Sequence, residues 1–344
     1  MNEGSTPVVW MPMVETMMLL VNLTEEGSRY QPKAMNPVRR AARLRYDQLR
    51  NSPAVQETER LLKAGFWLND FAEMALAAEA FPKIGFAYPL SREALARAAG
   101  AEAHNDPNEG LSRLEIYLAQ VAQFWAASQV QDFLRTHAES YREAVAELEK
   151  ALANAAYTGE MERYFGTTHR SYLNVASLIT PAGFSFGISI MTPDGPLAFH
   201  LTGPFIEPNG KLTFASAVQA ESSSEREFIR AFVHPMVGRR VLDTRPFQDA
   251  FNRAKSYMRQ LGYEEPSACL EDHLVQAVQA SLMAKRGERA IAEAMLKFDE
   301  ESGFIFIAAF MEGLAHYELH RPEYRNFDSY FPVLMDLFTQ LRGK

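Results

Sequence analysis

Cysteine and histidine, two residue types that often bind zinc, are sparse in this sequence. Cys269 is the single cysteine among 344 residues, and the eight histidines are scattered along the chain. No two histidines form an H-x-H or H-E-x-x-H motif. An intrachain disulfide and a cysteine-based zinc site are therefore excluded. We expect Cys269 to be a buried thiol, because no motif around it supports a nucleophile.

Long hydrophobic runs are also absent. The apolar segment from Val8 to Leu20 is interrupted by Pro12 and Glu15, so it is too short and too broken to span a bilayer. The first residues carry no basic segment followed by a long apolar stretch. We expect a soluble, cytoplasmic protein. A mature exported domain whose signal has been removed would have the same sequence features.

An excess of positive charge is lacking as well. The 43 acidic residues outnumber the 35 lysines and arginines, which gives a formal net charge of -8. This charge argues against general binding to the phosphate backbone of nucleic acids. The P-loop and the G-x-G-x-x-G motif do not occur, so the sequence has no nucleotide-binding signature.

Helical periodicity dominates the remaining sequence. Apolar residues recur at spacings of three and four through most of the first half and again in the last third. Between them, strand-like segments lie between 172 and 218, and the segments Thr192 to Gly195 and Pro208 to Gly210 predict hairpin turns. We expect an α+β fold that is predominantly helical, with a small, mostly antiparallel sheet.

Two regions are predicted along the chain. Residues 1–165 form a helical N-terminal region with a short N-terminal strand, and residues 166–344 form the second region. The second region is predicted to contain a sheet at 170–220, a central helix at 224–236 and C-terminal helices over 246–341. We expect the two regions to form one compact unit.

The predicted helix at 224–236 carries the segment Arg226-Glu227-Phe228-Ile229-Arg230. With histidine at both arginine positions, this segment would be the H-E-x-x-H motif of zinc hydrolases. In that motif two imidazoles on one helix face bind the metal, and the glutamate activates a metal-bound water. Arginine has no acceptor lone pair and stays protonated, so neither Arg226 nor Arg230 can bind zinc.

The chain resembles the DUF4932 family, a zincin-like family whose members usually carry an H-E-F-x-H helix followed by a short apolar stretch and a proline. The matching segment here runs from Arg226 to Pro235 and ends in Phe232-Val233-His234-Pro235. Weaker similarities are the apolar N-terminal segment with Glu15, the sheet before the helix, the segment from Asp272 to Ala277, and the ending from Tyr317-Glu318 to Phe331-Pro332.

This resemblance implies a gluzincin-type metallopeptidase fold and a bound zinc ion. In such zincins a carboxylate on a later helix completes the zinc ligands, and Asp272 matches that position better than Glu271. Glu227 matches the general base. It would be a vestigial base here, because water that is not bound to a metal has a pKa of about 16.

We therefore expect a catalytically inactive, metallopeptidase-like protein with no cofactor and with a binding or scaffold role. Its partner would be a peptide or a protein, since an extended peptide can lie along the edge strand of a zincin sheet. Arg226 and Arg230 could form a salt-bridge network with Glu227 and Asp272, could bind an anion or a peptide C-terminus, or could lie on a solvated helix face.

Two alternatives to an inactive zincin remain open. An active metal-dependent hydrolase would need ligands elsewhere, and Glu312, His316 and His320 are weak candidates because they recur at i, i+4 and i+8. A histidine near a helix C-terminus is, however, already stabilised by the helix dipole. The chain could also be a globular protein that is unrelated to zincins.

Overall fold

A computed structural model describes residues 6–30, 34–100 and 103–340. The helices in these residues are α1 (Pro12–Leu23), α2 (Pro37–Tyr46), α3 (Pro53–Lys63), α4 (Leu68–Ala77), α5 (Arg92–Ala99), α6 (Pro107–Ala127), α7 (Val130–Thr136), α8 (Ala138–Ala151), α9 (Thr158–Phe165), α10 (Ala217–Arg239), α11 (Arg245–Arg253), α12 (Lys255–Gln260), α13 (Pro266–Lys285), α14 (Arg289–Glu301), α15 (Ile307–Leu319) and α16 (Phe327–Gln340). The strands are β1 (Val8–Val9), β2 (Ser171–Ala176), β3 (Ser185–Thr192), β4 (Gly195–Thr202), β5 (Phe205–Ile206) and β6 (Leu212–Thr213).

The α+β class and the predominance of helix are confirmed. Helices α11 to α16 lie within residues 245–340. Residue 341, the last residue of the predicted C-terminal helix, lies outside the described residues. Among the residues that the structure describes, no helix is both long enough and apolar enough to cross a membrane.

The four-stranded sheet has the order β1-β2-β4-β3, and β5 and β6 form a separate antiparallel pair. The strand directions are mixed rather than mostly antiparallel, because β1 pairs with β2 and β2 pairs with β4 in parallel. The predicted hairpin is present between β3 and β4, where Thr192 lies opposite Gly195. Gly195 has a φ of 117°, a conformation that glycine adopts readily. The hairpin leaves β4 between β2 and β3, so β3 is an edge strand, with β1 at the opposite edge.

The chain divides into two compact units. The first unit comprises residues 1–155 and 170–227, and the second comprises residues 156–169 and 228–344. Each unit is therefore built from two separate stretches of sequence, and the boundary between Glu227 and Phe228 lies within α10. The division at residue 165 that was expected from the sequence stays a prediction.

The core of the first unit is formed around α1. Pro12 begins this helix, where its missing N–H group costs no hydrogen bond, and every residue from Met13 to Leu23 is buried. Glu15 is among them, and its carboxylate accepts hydrogen bonds from the Tyr141 hydroxyl at 2.7 Å and the Ile179 amide at 3.1 Å. Burial raises the pKa of Glu15 to about 7 in spite of these hydrogen bonds.

Aromatic side chains dominate the core of the second unit. The Phe338 ring on α16 lies 5.1 Å from the Phe247 ring on α11 and 4.9 Å from the Phe310 ring on α15, measured between centroids. Edge-to-face and tilted pairs at these distances stabilise a core beyond the burial of apolar area alone. The three helices are thus held together by one aromatic cluster.

Within the first unit, β3 passes very close to the backbone of α10. A Cβ atom built on Gly187 would lie 1.9 Å from the backbone carbonyl oxygen of Glu227. Any side chain at position 187 would therefore force the strand and the helix apart.

We predict that Gly187→Ala destabilises the first unit by about 2 kcal/mol or more, because the added methyl group overlaps the Glu227 carbonyl. The matched control is Gly159→Ala in α9, where the new Cβ would meet only the end of the Arg163 side chain at 3.4 Å. That control should be neutral or stabilising by about 0.5–1 kcal/mol, since alanine favours a helix over glycine. Denaturant unfolding would measure both, and equal stabilities would contradict the close contact.

Candidate functional site

Helix α10 contains the segment that the sequence singles out, and it begins earlier than expected. It starts at Ala217 rather than near residue 224, so Ser223 and Ser224 lie inside the helix. Serine is a weak helix former because its hydroxyl competes for backbone hydrogen bonds. In α10 both serine hydroxyls form hydrogen bonds with side chains of the sheet, so they do not compete for the backbone of the helix. Local helix propensity therefore did not predict where α10 starts.

A buried polar network joins α10 to strands β2 and β4 in the first unit. His200 Nδ1 lies 2.8 Å from Asn174 Oδ1, and His200 Nε2 lies 3.2 Å from Ser223 Oγ. The Ser224 hydroxyl donates a hydrogen bond of 2.7 Å to Asn174 Oδ1. Burial lowers the pKa of His200 to about 4, so the ring is neutral at pH 7. This network fixes the N-terminal half of α10 against the sheet.

Arg226 and Glu227 form an ion pair on α10 in the first unit. Arg226 Nε donates a hydrogen bond of 2.9 Å to Glu227 Oε1. The Glu227 side chain is only 2% exposed, whereas the Arg226 side chain is 34% exposed. A buried carboxylate needs a partner to offset the loss of hydration, and the adjacent guanidinium provides one.

Arg230 and Asp272 form a second ion pair, which belongs to the second unit. Arg230 Nη1 donates a hydrogen bond of 2.7 Å to Asp272 Oδ1. The Tyr263 hydroxyl donates to Asp272 Oδ2 at 3.0 Å. Burial first, and then the Asp272 charge, raise the pKa of Tyr263 above its ordinary value, so this hydroxyl keeps its proton. The structure therefore brings together two of the predicted site residues, Arg230 and Asp272.

Glu271, the less favoured candidate for the same role, has a different partner. Its Oε2 atom lies 2.9 Å from Nδ1 of His234, which is also on α10. Helix α13 thus contacts α10 through two consecutive acidic residues, one facing an arginine and one facing a histidine.

As a set of metal ligands, the residues at these positions do not suit zinc. Both guanidinium groups donate hydrogen bonds and have no lone pair to offer a metal. Both Asp272 oxygens already accept hydrogen bonds, from Arg230 and from Tyr263. A zinc site requires neutral imidazole, thiolate or carboxylate donors around one point.

The alternative metal candidates lie at the end of α15. The His316 and His320 rings stack with their centroids 4.2 Å apart, and His320 Nδ1 lies 3.0 Å from the His316 carbonyl oxygen. His320 follows the last residue of the helix, Leu319. Neither Glu312 with these histidines nor any other three histidine, cysteine or acidic side chains form a metal-binding group in the part of the chain that the structure describes.

Cys269 is buried, as predicted. Burial, with a smaller contribution from the Asp272 charge, raises the pKa of its thiol to about 12. Because the thiolate is the reactive form of cysteine, this raised pKa disfavours reaction of the buried thiol at neutral pH.

One segment of the first unit has the spacing of a catalytic motif but a different context. Residues Gly183 to Gly187 match G-x-S-x-G, in which the hydrolase serine stands on a sharp turn from a strand into a helix. Ser185 instead begins strand β3, and its hydroxyl oxygen lies 3.0 Å from that of Thr202 and 2.9 Å from that of Ser223. The motif therefore packs a strand and does not present a nucleophile.

Nothing in the local sequence marks His200 or Asn174 as important. Along β4, His200 lies between the apolar residues Phe199 and Leu201. This pattern is common in strands in which polar and apolar residues alternate. A polar residue facing inward on each of two neighbouring strands is a detectable signal only when the strand pairing is known.

These observations define a class of protein, a mostly helical α+β chain in which a small mixed sheet precedes a long helix. The long helix carries arginines that pair with carboxylates. The family model described as "Domain of unknown function (DUF4932)" matches residues 33–337. The chain belongs to this family, and the resemblance to it is confirmed. No curated protein and no solved structure matches the chain.

We predict that Arg230 and Asp272 couple by about 1 kcal/mol in a double-mutant cycle. Both side chains are partly exposed, at 24% and 34%, so solvent screens their attraction. The cycle would compare Arg230→Ala, Asp272→Ala and the double variant by denaturant unfolding. Strict additivity of the two single changes would contradict the ion pair.

We predict that acid destabilises the fold through His200. The folded pKa of about 4 lies below the unfolded value of about 6.5, so the unfolded state gains a proton first as the pH falls from 6.5 to 4. His200→Gln should lessen the loss of stability between pH 7 and pH 5 by about 2 kcal/mol. His169 and His273, whose pKa values burial also lowers to about 4, add to the loss.

The control is Ser224→Ala, which removes a hydrogen bond to Asn174 from the same network without removing an ionisable group and should leave the pH dependence unchanged. Denaturation midpoints at half-unit pH steps would measure all three proteins. An identical slope for His200→Gln and wild type would count against a neutral, buried His200.

Proposed function

We propose that this chain is a zincin-like protein that has lost metal-dependent catalysis and binds a peptide or protein partner. One observation carries the proposal. Both positions that would hold the zinc ligands of an H-E-x-x-H helix are arginine, and each guanidinium is bonded to a carboxylate, Glu227 for Arg226 and Asp272 for Arg230. The side chains that would bind the metal and activate the water in a hydrolase therefore form ion pairs here.

The position of Asp272 supports the zincin relation. In a two-histidine zincin the third ligand comes from a later helix and lies next to the second histidine of the motif. Asp272 is on the later helix α13, and its carboxylate lies 2.7 Å from the side chain at position 230. This ion pair is the arrangement expected if arginine replaced the second histidine of the motif while the neighbouring acidic residue was retained.

The loss of hydrolysis follows from the state of Glu227. Its carboxylate is buried and accepts a hydrogen bond from Arg226. A general base must reach a water whose pKa has been lowered, and a metal is what lowers it in zinc hydrolases. With arginine at both ligand positions, Glu227 has no such water to deprotonate.

The binding role is supported by the sheet. Strand β3 is one of the two edge strands of the four-stranded sheet and runs antiparallel to β4. Edge strands can add an extended peptide through main-chain hydrogen bonds. Substrate peptides of zincins use such an edge, and a non-catalytic relative can retain it as a docking surface.

We predict that purified wild-type protein carries no stoichiometric zinc after dialysis, and that the Arg226→His, Arg230→His double variant gains about one zinc per chain. Elemental analysis measures both. The matched control is the Arg226→Gln, Arg230→Gln double variant, which loses the same ion pairs without offering imidazoles and should stay free of zinc. Stoichiometric zinc in the wild-type protein would overturn the loss of metal, and zinc-free histidine variants would contradict the zincin relation.

The proposed binding role can be tested separately on the same purified protein. Amide hydrogen exchange in β3 should slow when a mixture of extended peptides is added, because peptide pairing protects edge amides. Exchange in the buried helix α1 serves as the internal control and should not change. Unchanged exchange in β3 would remove the support for edge-strand docking while leaving the zinc result standing.

A further inference from the structure

A cavity of about 320 Å³ lies within the second unit, between α9, α13 and α15. Tyr164, Tyr317 and Leu282 are the aromatic and aliphatic residues on its lining. The two rings contact edge to face with centroids 5.5 Å apart, and the Tyr317 hydroxyl donates a hydrogen bond of 2.7 Å to the Tyr164 carbonyl. The volume is typical of a site for a small molecule.

Cationic groups line the rim of this cavity and stack on its aromatic wall. Lys285 Nζ lies 5.0 Å from the centre of the Tyr164 ring, and the Arg321 guanidinium lies 5.3 Å from the centre of the Tyr317 ring. Arg163 is the third cation on the lining. Stacking on aromatic faces stabilises each cation without neutralising its charge.

The two acidic residues of the lining are already paired. Glu318 lies 3.2 Å from Lys285 Nζ and also accepts a hydrogen bond from the Ser281 hydroxyl. Glu160 lies 3.0 Å from the Arg286 guanidinium, just outside the lining. These carboxylates therefore do not offset the charges of the remaining cations.

Arg163 and Arg321 form no ion pair with any carboxylate among the residues that the structure describes. Arg321 is nevertheless held in place, because its Nη1 donates a hydrogen bond of 2.7 Å to the Tyr324 carbonyl. Gly166 leaves room for it, since a Cβ atom at that position would lie 2.7 Å from Arg321 Nη2. A fixed guanidinium that faces a cavity without an acidic partner is arranged to bind an anion.

We propose that this cavity binds a small molecule with one anionic head, a carboxylate or a phosphate, and an aromatic or apolar body. Arg163 and Arg321 bind the head, since guanidinium groups match the geometry of both anions. The body lies against the apolar part of the lining at Tyr164 and Leu282. The cavity is remote in sequence from Arg226 to Arg230, and the inference does not depend on the proposed function.

Isothermal titration calorimetry with three probes tests this site. Phenyl phosphate and benzoate carry the two kinds of head on an aromatic ring, and inorganic phosphate has a head alone. We expect at least one of the ring-bearing probes to bind with a dissociation constant at or below about 1 mM, and inorganic phosphate to bind more weakly. The ratio between phenyl phosphate and benzoate identifies which head the site prefers.

Two variants and a control decide the result. Arg321→Gln and Arg163→Gln should each weaken binding by at least about tenfold, since hydrogen bonds to a charged group are lost. Arg289→Gln, an exposed arginine of the same unit that does not line the cavity, should bind as wild type does. Arg163 makes no ion pair within the described residues, so its loss should not disturb the fold. Absence of binding by every probe, or unchanged binding by the Arg163 and Arg321 variants, would overturn the proposal.

Discussion

The contact between β3 at Gly187 and the backbone of α10 at Glu227 determines where the arginine-bearing helix can lie in the first unit. The hydrogen bonds of His200 and Asn174 to two serines of α10 hold the helix at that distance. The backbone contact limits the approach, and the buried polar network prevents separation. The geometry of the Arg226 and Glu227 pair is therefore a consequence of how this helix packs on the sheet, and local charge alone does not determine it.

A different constraint organises the second unit. Tyr164 from α9 and Tyr317 from α15 meet in its aromatic core, although 152 intervening residues separate them in the sequence. The same rings that stabilise the core carry Lys285 and Arg321 on their outer faces. Packing and charge placement are thus coupled here, because a change in either tyrosine would move a cation as well as open a void.

The sequence predicts most helices and both hairpins, because these features depend on periodicity and on turn residues such as Gly195 and Gly210. The ion pair of Arg230 with Asp272 is one of the three arrangements that the sequence left open for these arginines. The order of the strands and the early start of α10 escaped prediction. Both depend on long-range pairs, β2 with β4 and Ser223 with His200, and single-sequence patterns carry no information about such pairs.

The arginines on α10 differ from a metal site in one further respect. A zinc ion exchanges with the surroundings, so a metalloprotein exists as a mixture whose composition varies with the supply of metal and with chelators. A guanidinium is attached covalently and stays protonated over the whole physiological pH range. The ion pairs of Arg226 and Arg230 consequently need no ion from the surroundings, because both partners of each pair are parts of the chain.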